Sequence, residues 1–573
     1  MAIVQQYLHR LGSQEYFVAF LGSTGKTLPD GANNWPWNTM YDKYLTFGVS
    51  DYLITDDGHL YIAGQSSAFA GGWQTQWDFD SNGNHAQPYG GHISKLKLQN
   101  KSYIWAKYLN DSNASNITGG SGTGWGELAL DSGGNIWAAA VSDANNNQQD
   151  HYLCFARWNS SGTRSFLKYL GSDLGGYGGT DYAVTKIFCS GTSMNIIGRV
   201  LDNAVGYQTP AACGSRNLVF ATVNSSASIS AQYTYRRSGQ GNNNGYAYKT
   251  YFNSAIEDSS GNYIGVGRDH GPVTSYSDCS ALQGNKGAWI AKLNSSGAIQ
   301  WQKHFIYDSG YFNNFDDVGL DSSNNIYAVG ALGYHTGANN SGRYGFLVKY
   351  NSSGSVQWVR RFPVGKEPNR VAVNPDNSDE IFTLHTAYIT FSYGGNNYTN
   401  IQCAVLIKFN SSGSMQWQRT LLLTNPYGSV NNVFSSDLQK MQVKEGGVWI
   451  VINSLQRPLK SDANASMMIK YPIDNGSNYP FVGTISQDVE DVAGDFKVDV
   501  IDISTGITST VINSWTESNA SVQRVTTSYA SGDLLNYNNG CSSGSPPICF
   551  PTGQYLEEGN DSVEFVSNPI FFH

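Results

Sequence analysis

Three stretches of the chain read almost alike: Ala291-Lys-Leu-Asn-Ser-Ser-Gly-Ala-Ile-Gln-Trp301, Val348-Lys-Tyr-Asn-Ser-Ser-Gly-Ser-Val-Gln-Trp358 and Ile407-Lys-Phe-Asn-Ser-Ser-Gly-Ser-Met-Gln-Trp417. They begin 57 and 59 residues apart. A phrase that returns at such an interval marks a repeat architecture, in which each copy is one small supersecondary unit. Within the phrase, Asn-Ser-Ser-Gly is a tight turn, because Asn and Gly accept positive φ and the hydroxyls bond to nearby backbone. Apolar and polar residues alternate on either side of it, which is the period of a strand. The phrase is therefore a hairpin with an aromatic residue at a fixed place in its second strand.

A second hairpin precedes each copy. It reads Val318-Gly-Leu-Asp-Ser-Ser-Asn-Asn-Ile-Tyr-Ala-Val-Gly330, with relatives Leu128-Ala-Leu-Asp-Ser-Gly-Gly-Asn-Ile-Trp137 and Ala255-Ile-Glu-Asp-Ser-Ser-Gly-Asn-Tyr-Ile-Gly265. Two hairpins make four short antiparallel strands per repeat, the content of one β-propeller blade. The strand pairs fall near 46–64 with 91–109, 126–140 with 152–169, 181–199 with 217–235, and 251–267 with 287–305. They continue near 314–330 with 343–362, 368–385 with 401–421, and 437–453 with 465–471. The reading is an all-β, seven-bladed β-propeller over 1–488, with an eighth blade left open.

Val4-Gln-Gln-Tyr-Leu-His-Arg-Leu11 matches Val356-Gln-Trp-Val-Arg-Arg-Phe362, allowing one slip in register, as an isolated last strand. A row of sheets has exposed edges unless its ends join. Residues 3–11 are thus expected to complete the seventh blade. After 488 the repeat stops. Phe496–Val511 reads as a hairpin turning at Ser504-Thr-Gly506, so 489–573 is expected to be a small C-terminal β appendage with long loops. The repeat resembles the β-propeller repeat family of bacterial surface and phage proteins, with Asp-Ser-Ser-Gly-Asn-x-Tyr followed by Lys-x-Asn-Ser-Ser-Gly-x-x-x-Trp. That resemblance implies the fold and no shared catalytic residues.

Composition agrees with strands and turns. Of 573 residues, 14% are charged and 13% aromatic, and 63 are glycine. The net charge is −9, and Lys and Arg occur singly, which argues against a nucleic-acid partner. No run approaches the length needed to cross a bilayer, so membrane insertion is not expected. The opening residues lack the apolar run of a signal peptide, which implies synthesis in a cytosol. The seven cysteines are scattered and read as small buried residues; Cys541 and Cys549 alone are close enough in sequence for a local disulfide.

Candidate chemistry is sparse. Trp301, Trp358 and Trp417 keep a fixed register, which implies packing between blades. Lys292, Lys349, Lys408, Lys470 and Arg157 occupy one recurring place and read as a solvated strand face, with a basic ring as the alternative. Trp35, Trp37, Trp73 and Trp77 lie outside the repeat on polar loops, and such rings can stack on sugars or cap a local core. Asp78, Asp80, Asn82 and Asn84, around Gly83, form the first half of a calcium loop. Ala86 and Tyr89 then stand where the remaining ligands belong, so an Asn/Asp-rich turn is favoured over Ca2+ and no cofactor is expected. No His-Glu-x-x-His and no Gly-x-Ser-x-Gly occurs. The insertions at 201–216, 269–286 and 422–436 lie on comparable connections and suggest a shared rim.

Together these observations favour a bacteriophage virion structural protein, in the tail or tail fibre. Its partners would be other virion proteins, host surface polysaccharide and further copies of itself, and its location the virion. A bacterial surface or exported carbohydrate-binding propeller is the alternative, with an extracellular or cell-surface location. A polysaccharide-cleaving propeller is the third reading.

Overall fold

The computed structural model describes residues 3–11, 14–22, 47–66, 90–98, 103–111, 126–143, 151–170, 183–201, 216–237, 249–270, 286–306, 312–333, 343–364, 368–393, 396–424, 438–444, 446–457 and 460–473. It also describes seven short strands beyond residue 496. The described residues are all-β, with antiparallel sheets and no helix, and none of them forms a helix able to cross a membrane.

The strands follow the repeat. Unit 1 is Phe47–Ile54, His59–Ser66, Gly90–Lys97 and Tyr103–Asp111. Unit 2 is Glu127–Leu130, Ile136–Asp143, His151–Trp158 and Arg164–Leu170. Unit 3 is Ala183–Ser190, Ser193–Leu201, Arg216–Val223 and Ile229–Arg237. Unit 4 is Lys249–Glu257, Tyr263–His270, Lys286–Leu293 and Ile299–Ile306. Unit 5 is Phe312–Leu320, Ile326–Gly333, Arg343–Tyr350 and Val356–Val364. Unit 6 is Pro368–Val373, Ile381–Tyr393, Asn396–Phe409 and Met415–Thr424. Unit 7 supplies Leu438–Lys444, Gly447–Arg457 and Lys460–Pro472. Units 3 and 4 share one ten-stranded sheet, because Arg216 and Asn217 pair in parallel with Lys249 and Thr250.

The turns form for local reasons. Asn294 Oδ1 accepts the amides of Ser296 and Ala298 at 3.1 and 2.8 Å, while Gly297 takes φ +78°. Asn159 and Asn351 repeat the arrangement with Gly162 and Gly354. This is Asx-turn chemistry, which accounts for the recurring Asn-Ser-Ser. Unit 3 departs from it: Ala227 stands where the other copies carry Gly and is held at φ +63°.

The core lies between units rather than within them. Ile264, Val266 and Ile290 of unit 4 pack with Phe315, Val318 and Phe346 of unit 5. Ile197, Leu218 and Phe220 of unit 3 pack with Phe252, Tyr263 and Trp289 of unit 4. The first strands touch in order from unit 1 to unit 7, and the first strand of unit 7 touches that of unit 1.

The fixed aromatic sits at these boundaries. Trp105 Nε1 donates to Ser160 O of the next unit's turn at 3.0 Å, and Trp358 Nε1 donates to Ser411 O at 3.1 Å. Trp301 lies against Gly354, where an added Cβ would meet its ring at 2.9 Å. In the degraded unit 3, the Tyr235 hydroxyl donates to Gly297 O instead.

Both chain ends differ from expectation. Residues 3–11 do not pair with unit 7 directly. The strand Gln14–Gly22 pairs there, with Phe17 opposite Lys470, and Ile3–Leu11 pairs outside it. The match to a last strand was real in pattern, but a hairpin presents two similar strands and the inner one is the better placed. The expected appendage after 488 is also not a separate sheet among the described residues. Its strands each add to the outer edge of a different unit. The turn expected at Ser504-Thr-Gly506 lies outside the described residues, and the described strands on either side of it pair elsewhere: Lys497–Ile501 with unit 6 and Thr510–Val511 with unit 5.

Candidate functional site

Two places gather polar groups from several units: the first strands, where the units meet, and the end from which the long connections leave.

In the first strands, one position recurs four residues before the opening turn of each unit. It holds Asp51, Glu127, Lys186, Ser254, Asp317, Arg370 and Lys440 in turn. In six units the register shifts just before it, so a bulge turns the residue toward neighbouring units. Asp51 is fully buried and is bonded by Lys440, while Lys186 Nζ lies 3.7 Å from its other oxygen. Asp51 Oδ2 also accepts the Leu128 amide at 2.8 Å. Lys186 in turn bonds Glu127. On the other side, Ser254 Oγ donates to Asp317 Oδ1 at 2.6 Å, and Asp317 Oδ2 accepts the Val371 amide at 3.0 Å.

Three acids and three bases balance in this set. Burial pushes the Asp51 carboxyl up, but Lys186 and Lys440 outweigh it and leave it below its ordinary value. Burial, helped by the Asp51 charge, pushes Glu127 up to about 7. Burial lowers Lys440, while the carboxylates around Lys186 outweigh burial and raise it. The seam between units 7 and 1 carries further bonds: Lys440 to Tyr52 O at 2.8 Å, Lys444 to Ile54 O at 2.9 Å and Tyr52 hydroxyl to Trp449 O at 2.8 Å. A cluster whose charges already meet one another offers little to a substrate. Its evident work is to join units.

The recurring cations are neither solvated nor a basic ring. Lys292 meets the buried Asp258 at 2.7 Å, Arg157 meets Asp131 at 2.7 Å, and Lys408 meets Glu380 at 2.7 Å. Lys349 bonds Ser411 O at 3.1 Å over the Tyr327 ring. The Lys470 side chain lies outside the described residues. Burial acts to raise Asp131 and Asp258, yet their hydrogen bonds and facing cations hold both below the usual range. The signal was in the sequence: the turn Asp and the Lys or Arg recur together, and strand pairing sets them side by side.

Topology sorts the connections by end. The first-to-second and third-to-fourth turns sit at one end of every unit. The second-to-third and fourth-to-first connections leave from the other. The strand ends at Gly22, Phe47, Ser66 and Gly90, which flank segments 23–46 and 67–89, lie at this second end. Trp35, Trp37, Trp73 and Trp77, and with them Asp78, Asp80, Asn82 and Asn84, lie on those segments and outside the described residues. The inserted connections within 201–216, 269–286 and 422–436 leave from the same end.

Described side chains at that end include a polar network and a cationic stack. Thr250 Oγ1 donates to Asp269 Oδ1 at 2.7 Å, and His304 Nε2 meets Asp269 Oδ2 at 2.9 Å, all three buried. The Thr250 hydroxyl bonds the acid rather than the imidazole, so the trio lacks the order of a nucleophile, base and orienting acid. Arg199 and Arg268 lie over the Tyr251 ring, 5.2 and 5.0 Å from its centroid. Among the described residues, no group of three His, Cys, Asp or Glu could hold a metal.

No protein-family model and no curated protein matches the chain. Solved structures with some likeness include Kuenenia stuttgartiensis hydrazine synthase, 8% identical, covering 63% of this chain and 77% of that one with a TM-score of 0.35. The plexin A4 extracellular region is 7% identical over 77% of this chain and 52% of its own, with a TM-score of 0.36. Phage phi92 endosialidase is 9% identical over 85% of this chain and 74% of its own, also with a TM-score of 0.36. Likenesses this distant carry no argument about fold or activity.

Proposed function

We propose that the chain is a seven-bladed β-propeller, closed through its N-terminal hairpin, that serves as a rigid docking and glycan-binding platform in a bacteriophage virion, as a tail or tail-fibre component. The closure draws support from the seam between units 7 and 1, where Lys440, Lys444 and Tyr52 bridge the first and last repeats. The blade count draws support from seven consecutive repeat units whose first strands touch in a complete circuit.

The observation that carries the platform reading is the division of labour between ends. Short Asx turns and inter-unit Trp bonds knit one end, and the connections from second to third strand and from one unit to the next leave from the other. A stiff base that displays many loops loses little entropy when those loops meet a partner. The sequence puts Trp35, Trp37, Trp73 and Trp77 on two connections of unit 1, and such rings suit the C–H faces of sugars. Bidentate guanidinium contacts from Arg199 and Arg268 would suit an acidic sugar.

The test has two arms. Mass spectrometry of purified particles, with immunogold labelling of the tail, should find the chain in virions. A glycan array probed with the full chain should retain surface polysaccharide, and Trp73→Ala with Trp77→Ala should release it. Absence from particles would end the virion reading and leave the exported carbohydrate-binding propeller. An array with nothing retained would end the glycan reading.

A further inference from the structure

The C-terminal strands pair with the outer edges of the units in reverse order. Lys497–Ile501 pairs with the fourth strand of unit 6, Thr510–Val511 with that of unit 5 and Thr516–Asn519 with that of unit 4. Val522–Thr526 then pairs with unit 3, Ser531–Asp533 with unit 2 and Tyr537–Asn538 with unit 1. Finally Ile570–Phe571 pairs with Ile3–Leu11, outside unit 7. The first six pairings are all antiparallel.

A fourth strand without a partner is a sheet edge, with a row of free amides and carbonyls that any extended segment can join. Repetition multiplies the hazard, because a repeat fold carries one such edge per unit. One continuous segment here meets every edge in turn. An independently folded appendage has no reason to distribute its strands this way, and a local hairpin would have paired with itself. The contacts are made by backbone, so they demand an extended conformation and the right spacing rather than particular side chains. They also bridge neighbours: a chain fixed to units 6 and 5, then 4 and 3, ties those units together at the rim as the Asp51 cluster ties them at the first strands.

We infer that the outer edges form a strand-accepting surface and that the seven short strands between 497 and 571 are its resident occupant, a strap that holds the units at the rim and keeps other copies of the chain from pairing there. Among the described residues, the strap pairs with Arg360 and Arg361 in unit 5 and with Asn110 and Asp111 in unit 1.

The experiment places a protease site within 480–485 of the full chain and cuts the folded protein. The strap is expected to stay with the repeats through gel filtration and to separate only in denaturant. The stripped repeats should then self-associate, and adding the strap back should reverse this. A strap that leaves as soon as it is cut, with the remaining chain keeping its oligomeric state and melting temperature, would overturn the inference. If cutting itself unfolds the protein, amide exchange on the intact chain decides. Protection is expected at the unit 3 and unit 6 edge residues Tyr233–Arg237 and Thr420–Thr424, and should fall in Val525→Pro and Val500→Pro respectively. Unprotected edge amides in the unaltered protein would sink the idea.

Discussion

The first strands and the outer edges hold the same units together by opposite means. Where the first strands meet, named side chains do the joining: Asp51 with Lys440, Lys186 and the Leu128 amide, and Asp317 with Ser254 and the Val371 amide. At the rim, backbone groups of a late segment do it. The first arrangement is specific and intolerant, because a buried charge without its partner is costly. The second is tolerant of sequence and depends on the segment being extended and free to donate. The contrast explains why the recurrent first-strand position is charged or polar in every unit, while the strap shows no repeat.

Breaking the first-strand cluster should give the largest effect. Asp51→Ala takes the buried carboxylate away from Lys440, Lys186 and the Leu128 amide, and should cost about 3–5 kcal/mol in urea unfolding. A loss near that of a surface site would remove the cluster from its joining role. Next comes the intra-unit pair: Asp258→Ala strips Lys292 and the turn amides of Ser260 and Asn262 of their acceptor. It should cost about 2–3 kcal/mol, for a lost buried acceptor and ion pair together. Lys292→Met should cost clearly less, because the carboxylate keeps its amide donors.

The rim is sharpened by a matched pair. Val525→Pro removes an amide from the strap and should lower the melting temperature, whereas Val525→Thr should change stability by no more than about 0.5 kcal/mol. Equal effects from the two would mean that side chains, not backbone, hold the strap. Ala227→Gly should stabilise by about 1 kcal/mol, since it relieves a left-handed conformation that L-residues avoid.

The smallest effect is a pH dependence, and its sign follows from Glu127. A carboxyl raised to about 7 contributes stability that is complete below its ordinary range and lost as pH rises through 7. Melting temperature should therefore fall modestly between about pH 4.5 and pH 7 and level off above that, and Glu127→Gln should flatten that slope. Asp51, held low, acts in the opposite sense and only in acid, where its protonation removes the cluster's stabilisation.

Much of this was legible in the chain and some was not. The Asn-Ser-Ser-Gly and Asp-Ser-Ser-Gly-Asn turns declared the hairpins, because their bonds span four residues. The fixed Trp declared a boundary contact, as Trp105 and Trp358 show. The recurring Lys292, Lys408 and Arg157 are visible in the chain, but their polarity alone suggests a solvated face. Their partners stand on a neighbouring strand, which a residue-by-residue reading of polarity does not supply. The series Asp51, Glu127, Lys186, Ser254, Asp317, Arg370 and Lys440 was equally in view, four residues before each turn, but its alternating signs acquire meaning only when the units face one another. The loop tryptophans at 35, 37, 73 and 77 lie outside the described residues.

Amino-acid order alone settled the strands, their turns and their number per repeat, since those follow from two-residue alternation and contacts within a few positions. It could not settle where the two chain ends go. The strap strands are two to five residues long, too short to show where they pair. They become strands only because an open edge supplies the missing hydrogen-bond partners. That choice, like the selection of Gln14–Gly22 over Ile3–Leu11 beside unit 7, belongs to the assembled structure, where the free edge first exists.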